Sequence, residues 1–235
     1  IVASDEQTWR SMRLVSTYFH RLLSWQAYVD KFTVASTTPV ARTWTLDGRL
    51  HREHDLPAVV NSDGTRKWCR YGRPHRDLGR PAYQNSTLGQ TWSRHGLDHR
   101  AGDRPALIRG YVRGWYRRGL QHRDHDRPAF ISDDIKWWYQ HGALHRDHGQ
   151  PAITWPDGSR MWYRHGQYSR DHDLPTTVHR VGTRSWYRYG MLHRGHDLPA
   201  LINAVGDRGW YRHGVYHRGH HRPTCIGLIG VTRWG

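Results

Sequence analysis

The chain has 235 residues, 36 Lys and Arg against 20 Asp and Glu, and a net charge of +16 with its 20 His neutral. That charge attracts polyanions such as nucleic acid, acidic lipid surfaces and acidic proteins, and it says nothing of fold. There is no run of about 18 apolar residues, which excludes a helical membrane span. The two cysteines, Cys69 and Cys225, lie far apart and outside any C-x-x-C pattern. They argue against a disulfide framework and against a Cys-based zinc site, and read as reduced thiols in an intracellular compartment. Only 36% of residues are hydrophobic, yet 13 are Trp and 13 Tyr against three Phe. Amphipathic aromatic side chains must therefore supply much of the packing.

The opening "IVASDEQTWR" lacks the charged-then-apolar order of a secretion signal. It also lacks a starting Met and reads as a trimmed chain. Ser4 followed by Gln7 fits a capping box. Trp9, Met12, Phe19 and Leu23, with Val15 and Leu22 adjoining, give helical spacing. Ser24 caps a second short helix over "WQAYVDKF", and "STTP" ends the pattern at Pro39. The expected division is a helical cap over residues 1–38 and a repeat array over 39–235. A cap shields the open edge of the first hairpin from pairing with other chains. The stretch "MRLVSTYFHRLL" also resembles the second half of an F-box, without the Leu-Pro opening that begins one. That resemblance implies that Leu14, Val15 and Phe19 form the module's core. With Leu22 they mark a cap or partner interface, and a Skp adaptor is the implied partner.

From residue 44 onward the chain repeats. His-Arg recurs at His51, His75, His99, His122, His145, His193 and His217, with Ser169-Arg170 in the remaining place, at steps of 23 or 24 residues. Trp stands seven residues before each: Trp44, Trp68, Trp92, Trp115, Trp138, Trp162, Trp186 and Trp210. Gly lies three before it and Pro six after it. The unit is W-x-x-x-G-x-x-[HS]-R-x-x-x-x-P-[AT], eight times over, and Trp234 opens a ninth. Aromatic runs before Gly ("RMWYRHG") and short β-prone runs entered by Pro ("PAVV", "PALI") read as strands. Breaks such as "DG" are hairpin turns. The expected fold is mainly β: an elongated antiparallel hairpin array with two strands per copy. Roughly sixteen strands would run on the order of 75 Å, each unit contacting its neighbours. Strand alternation places Trp and the Arg two residues later (Arg70, Arg94, Arg117) on one face, as cation–π partners, with Tyr on the other.

This pattern resembles a MORN-type repeat, in the variant form common in proteins of large DNA viruses of amoebae. The matching residues are the aromatic, x-G and His-Arg elements, as in "WYRHGVYHR" from Trp210 to Arg218. The likeness covers residues 44–234. The standard repeat carries Gly where Arg follows His here, which weakens any carry-over of lipid binding. The resemblance implies an array used as a scaffold or binding surface, in host cytoplasm or in a virion. Viral proteins of this kind join an F-box to a repeat array that presents a target for ubiquitination.

The cluster "HRDHDRPAF", His122 to Phe130, has the composition of a metal or acid/base site. Alignment of the copies argues otherwise. The second residue before Pro runs Asp55, Gly79, Asp103, Asp126, Gly149, Asp173, Asp197, His221. Asp and Gly share turn tolerance and little chemistry, so neither metal ligation nor catalysis fits. Equivalent histidines about 9.6 Å apart are also too distant to share one zinc. The Arg column (Arg52, Arg76, Arg100, Arg123, Arg146, Arg170, Arg194 and Arg218) has no exception. Its guanidinium can lie on an aromatic face while its fork bonds carbonyls or Asp, tying one copy to the next. There is no P-loop, G-x-S-x-G or H-E-x-x-H. We expect no enzyme, cofactor or metal site. The expected role is a repeat scaffold binding other proteins. Alternatives are a structural virion component, whose open edge at Trp234 pairs with other proteins, and polyanion or nucleic-acid binding through the basic aromatic face.

Overall fold

The computed structural model describes residues 33–218, 223–227 and 232–233, with Thr17, Tyr18 and Arg21. Of the expected helical cap over residues 1–38, Leu14, Val15, Phe19 and Leu22 lie outside the described residues, and its last residues form a strand, Val34–Thr37, and not a helix. The chain divides into two units, residues 1–97 and 98–235.

In the first unit the sheet begins at Val34–Thr37, which pairs antiparallel with Ala41–Leu46. The "STTP" break, read from sequence as the end of a cap, is the turn of this hairpin: Thr38 N–H donates to Ala41 O at 2.8 Å. Ala41–Leu46 then pairs with Val59–Asn61, which pairs with Arg66–Lys67. The ladder continues through Tyr83–Asn85 to Gly89–Thr91. The second unit repeats the scheme from Leu107–Arg109 to Thr232–Arg233, every neighbouring pair antiparallel.

Each full copy contributes four strands where two were expected, because the strand read through Trp is cut there. Trp68 N–H donates to Ala82 O at 2.8 Å, in the sheet, while Trp68 O accepts from His75 N–H at 3.0 Å, in a separate small hairpin. The Trp residue is thus a corner at which the chain leaves the sheet. Beyond it, Cys69–Arg70 pairs with Arg73–Pro74, and Tyr139–Gln140 pairs with Ala143–Leu144. Between such strands stands a two-residue loop with both residues left-handed, as at Tyr71 (φ 51°) and Gly72 (φ 79°). This pattern matches strand twist in tight hairpins and explains the constant Gly. Successive small hairpins are joined by backbone bonds such as Gly142 N–H to Gln121 O at 2.9 Å and Gly166 N–H to Leu144 O at 2.8 Å.

The core is shallow. It is built from the corner Trp residues, 4–8% exposed, and from the residue after each Pro. Ala58, Ala106, Ala129, Ala152 and Ala200 are wholly buried, which accounts for the small residue always found there. Among the described residues no helix is long and apolar enough to cross a membrane.

Candidate functional site

The repeated polar residues meet at the junction between copies. The turn before each repeat Pro from Pro57 to Pro199 places two consecutive residues at positive φ, for example His54 (57°) and Asp55 (55°). It closes with Leu56 N–H to Glu53 O at 3.1 Å. The Asp55 carbonyl then accepts the next copy's indole, Trp68 Nε1–H, at 2.9 Å. Its carboxylate accepts Arg76 Nε–H at 2.6 Å and Nη2–H at 2.9 Å, and a further bond from Arg80. Arg76 lies flat over Trp68, 3.7 Å from the ring centroid, and donates to Pro81 O. The same closed set recurs as Asp103–Trp115–Arg123, Asp126–Trp138–Arg146 and Asp173–Trp186–Arg194. Where Gly replaces Asp, the carbonyl role survives: Gly79 O accepts Trp92 Nε1–H and Gly149 O accepts Trp162 Nε1–H, both at 2.8 Å. The turn therefore needs a left-handed residue with a free carbonyl, and both Asp and Gly supply one.

Arg52, Arg170 and Arg218 also lie 3.6–3.8 Å over Trp44, Trp162 and Trp210. Arg100 donates to Pro105 O at 3.2 Å, and Arg194 to Pro199 O at the same distance. The guanidinium on each of these Trp rings is that of the His-Arg pair, or of Ser169-Arg170 in its place. The Arg two residues after Trp, expected there from strand alternation, points elsewhere because the strand ends at the corner. Arg70 is half-exposed and reaches Glu53 at 3.6 Å, and Arg164 reaches Asp171 at 3.2 Å. The hydrogen bond from Arg76, foremost, holds Asp55 down to about 2. Asp103 and Asp126 are lowered first by Arg123 and Arg146. Burial lowers Arg52, Arg100 and Arg170 below the ordinary guanidinium range.

The histidine of most His-Arg pairs has a role the sequence did not disclose, while His99 Nδ1 is buried without a hydrogen-bond partner among the described residues. His145 Nδ1 accepts the backbone N–H of His165 in the next hairpin turn at 3.2 Å, and its Nε2–H donates to Asp147 at 3.0 Å. The two rings lie against each other tilted by 35°, centroids 4.4 Å apart. His51, His75 and His122 repeat the arrangement with Tyr71, His95 and His141 above them, and with Glu53, Asp77 and Asp124 beside them. Both ring nitrogens are engaged, and the acceptor at Nδ1 fixes the neutral ring's proton on Nε2. A single sequence offers one signal for this role, the lone exception in the His column at Ser169.

Cys69 is buried and its thiol is pushed up by that burial; Cys225 is partly buried, and both are free. Grooves lie between successive copies of the second unit, lined by Arg, His and Tyr: about 410 Å³ beside His99 and His122, 220 Å³ beside His122 and His145, 460 Å³ beside His193 and His217. Another, about 740 Å³, lies beside Ser169. No protein-family model and no curated protein matches the chain.

Proposed function

We propose that the chain is a non-enzymatic MORN-type repeat scaffold that binds other proteins, and that its N-terminal segment is an F-box-like contact for an adaptor of the Skp class. One observation carries the scaffold reading. The repeated Trp, Arg, Asp and His side chains bond to neighbouring copies, while one column that varies from copy to copy faces solvent. The first residue after each hairpin Gly illustrates this. In the second unit it is Leu120, Ala143, Gln167, Met191 and Val215, of which Leu120, Met191 and Val215 are exposed. Exposed apolar side chains in equivalent places of three copies suit a protein partner better than a phosphate backbone.

The test is affinity capture from lysate at about 0.15 M salt, where loose attraction to polyanions is largely screened. Full-length protein is compared with the Leu120→Glu, Met191→Glu, Val215→Glu triple variant. The reading expects a discrete set of proteins on the wild type, lost from the variant. Nucleic acid as the retained species, unaffected by the substitutions, sinks it in favour of polyanion binding.

A further inference from the structure

The row of small hairpins opens at Ser169. In the turns that follow His122, His145 and His193, the residue before Gly donates its N–H to the histidine's Nδ1 at 3.2–3.3 Å. The Gly donates to a carbonyl of the preceding hairpin at 2.8–2.9 Å. The turn that follows Ser169 is Tyr189-Gly190, and among the described residues neither of its N–H groups has a hydrogen-bond acceptor. A Cβ placed on Gly166 or Gly214 would touch the preceding hairpin at 3.7–3.8 Å; one on Gly190 meets nothing within 4 Å. The Tyr189 ring, with no imidazole beneath it, is 66% exposed.

The resulting groove has an unusual lining. Arg164, Arg170, Arg188 and Arg194 face it, with His193 and Tyr168. Asp173 also lines it, already bonded to Arg194 at 2.8 Å. Arg170 stacks on Trp162 and donates to Pro175 O, but the position that supplies a carboxylate to its counterparts is Gly149 here. Two successive N–H groups at φ 52° and 78° form a concave donor pair of the kind that binds oxyanions. Beside them lies the exposed ring of Tyr189, while the Tyr168 ring is stacked between Tyr163 and Tyr187, 4.4 and 4.5 Å away. At His51, His75, His122, His145 and His193 a planar nitrogen heterocycle, the imidazole, fills this slot and accepts the same N–H.

We propose that the groove at Ser169 binds an organic phosphate carrying a planar nitrogen ring, of the nucleoside monophosphate class. The ring takes the vacant imidazole place against Tyr189. The phosphate sits on the Tyr189-Gly190 donors and on the Arg170 and Arg188 guanidiniums, which prefer forked contacts to phosphate. A volume of about 740 Å³ suits a ligand of that size. The site adjoins the protein-binding surface proposed above at Met191, next to Gly190, but does not rest on that reading.

Calorimetric titration of the full chain with AMP, adenosine and inorganic phosphate at about 0.15 M salt tests this. The expected result is AMP binding with Kd below about 1 mM, with adenosine and phosphate each at least about tenfold weaker. Ser169→His restores the imidazole, closes the slot and weakens AMP at least about tenfold, with the unfolding temperature equal to or above that of wild type. Arg188→Gln, at an exposed position, weakens AMP about fivefold or more with the fold intact. No measurable AMP binding to wild type overturns the proposal. So does equal affinity in Ser169→His, or phosphate alone binding as tightly as AMP.

Discussion

Asp126 adopts φ 51°, gives its carbonyl to Trp138 Nε1–H at 3.0 Å and gives its carboxylate to Arg146 at 2.7 and 2.9 Å. These roles separate by substitution. Asp126→Gly keeps the left-handed turn and the carbonyl and loses only a half-exposed ion pair, at a cost of about 0.5–1 kcal/mol. Asp126→Ala loses the pair and adds left-handed strain of roughly 1–2 kcal/mol. Urea unfolding should therefore rank the proteins wild type, Gly, Ala, with unchanged slope. Equal midpoints for Gly and Ala would show that turn geometry does not govern this position. The exchange of Asp and Gly was readable in the column from Asp55 to Asp197, and it pointed correctly to the turn. That the constant group is a carbonyl serving the next copy's indole was not readable, because spacing along one chain does not reveal pairing through space. The choice of Arg over Trp failed for a related reason. Period-two alternation holds only along an unbroken strand, and the backbone at Trp68 bonds two different partners.

At the scale of the strand pair, the position after Pro limits what the core accepts. Ala152 is wholly buried, and the same column holds Thr176 and Thr224 at 3% exposure. Thr176 satisfies its hydroxyl on Ser185 O at 3.1 Å. We expect Ala152→Thr to be tolerated within about 1 kcal/mol and Ala152→Leu to cost roughly 1–3 kcal/mol by overpacking. Thermal unfolding of the two variants checks this; a Leu variant as stable as the Thr variant would show spare room behind the sheet. The [AT] restriction and the β-hairpin class were both legible in the sequence, since Pro, Gly and β-prone runs recur in register. The strand count was not. The small hairpin reads as a continuation of the sheet strand until the Trp68 N–H and C=O are seen to point into different rows.

For the whole molecule, cohesion between copies rests on ionisable groups, so stability depends on pH with a definite sign. His193 titrates below the ordinary histidine value because of burial first, and then because of His213, Arg188 and Arg212. The unfolded chain takes up this proton as pH falls through about 6.5 while the folded chain does not, so stability is lost on acidification in that window. Asp55, held to about 2 chiefly by Arg76, contributes stability that is present above about 3.9 and lost as pH falls from there toward 2. The unfolding midpoint should thus decline between pH 7 and 5 and decline further below about pH 4. In His193→Asn, whose amide oxygen can still accept the His213 N–H, the first decline should be shallower. An equally steep decline in that variant would remove His193 from the account.

Hydrogen exchange of the Trp indole N–H groups, followed by NMR, reaches the central claim most directly. If the repeated turns exist to receive the next copy's indole, Nε1–H of Trp68, Trp138, Trp162, Trp186 and Trp210 exchanges far more slowly than free indole. Exchange of these protons at the free-indole rate would contradict it.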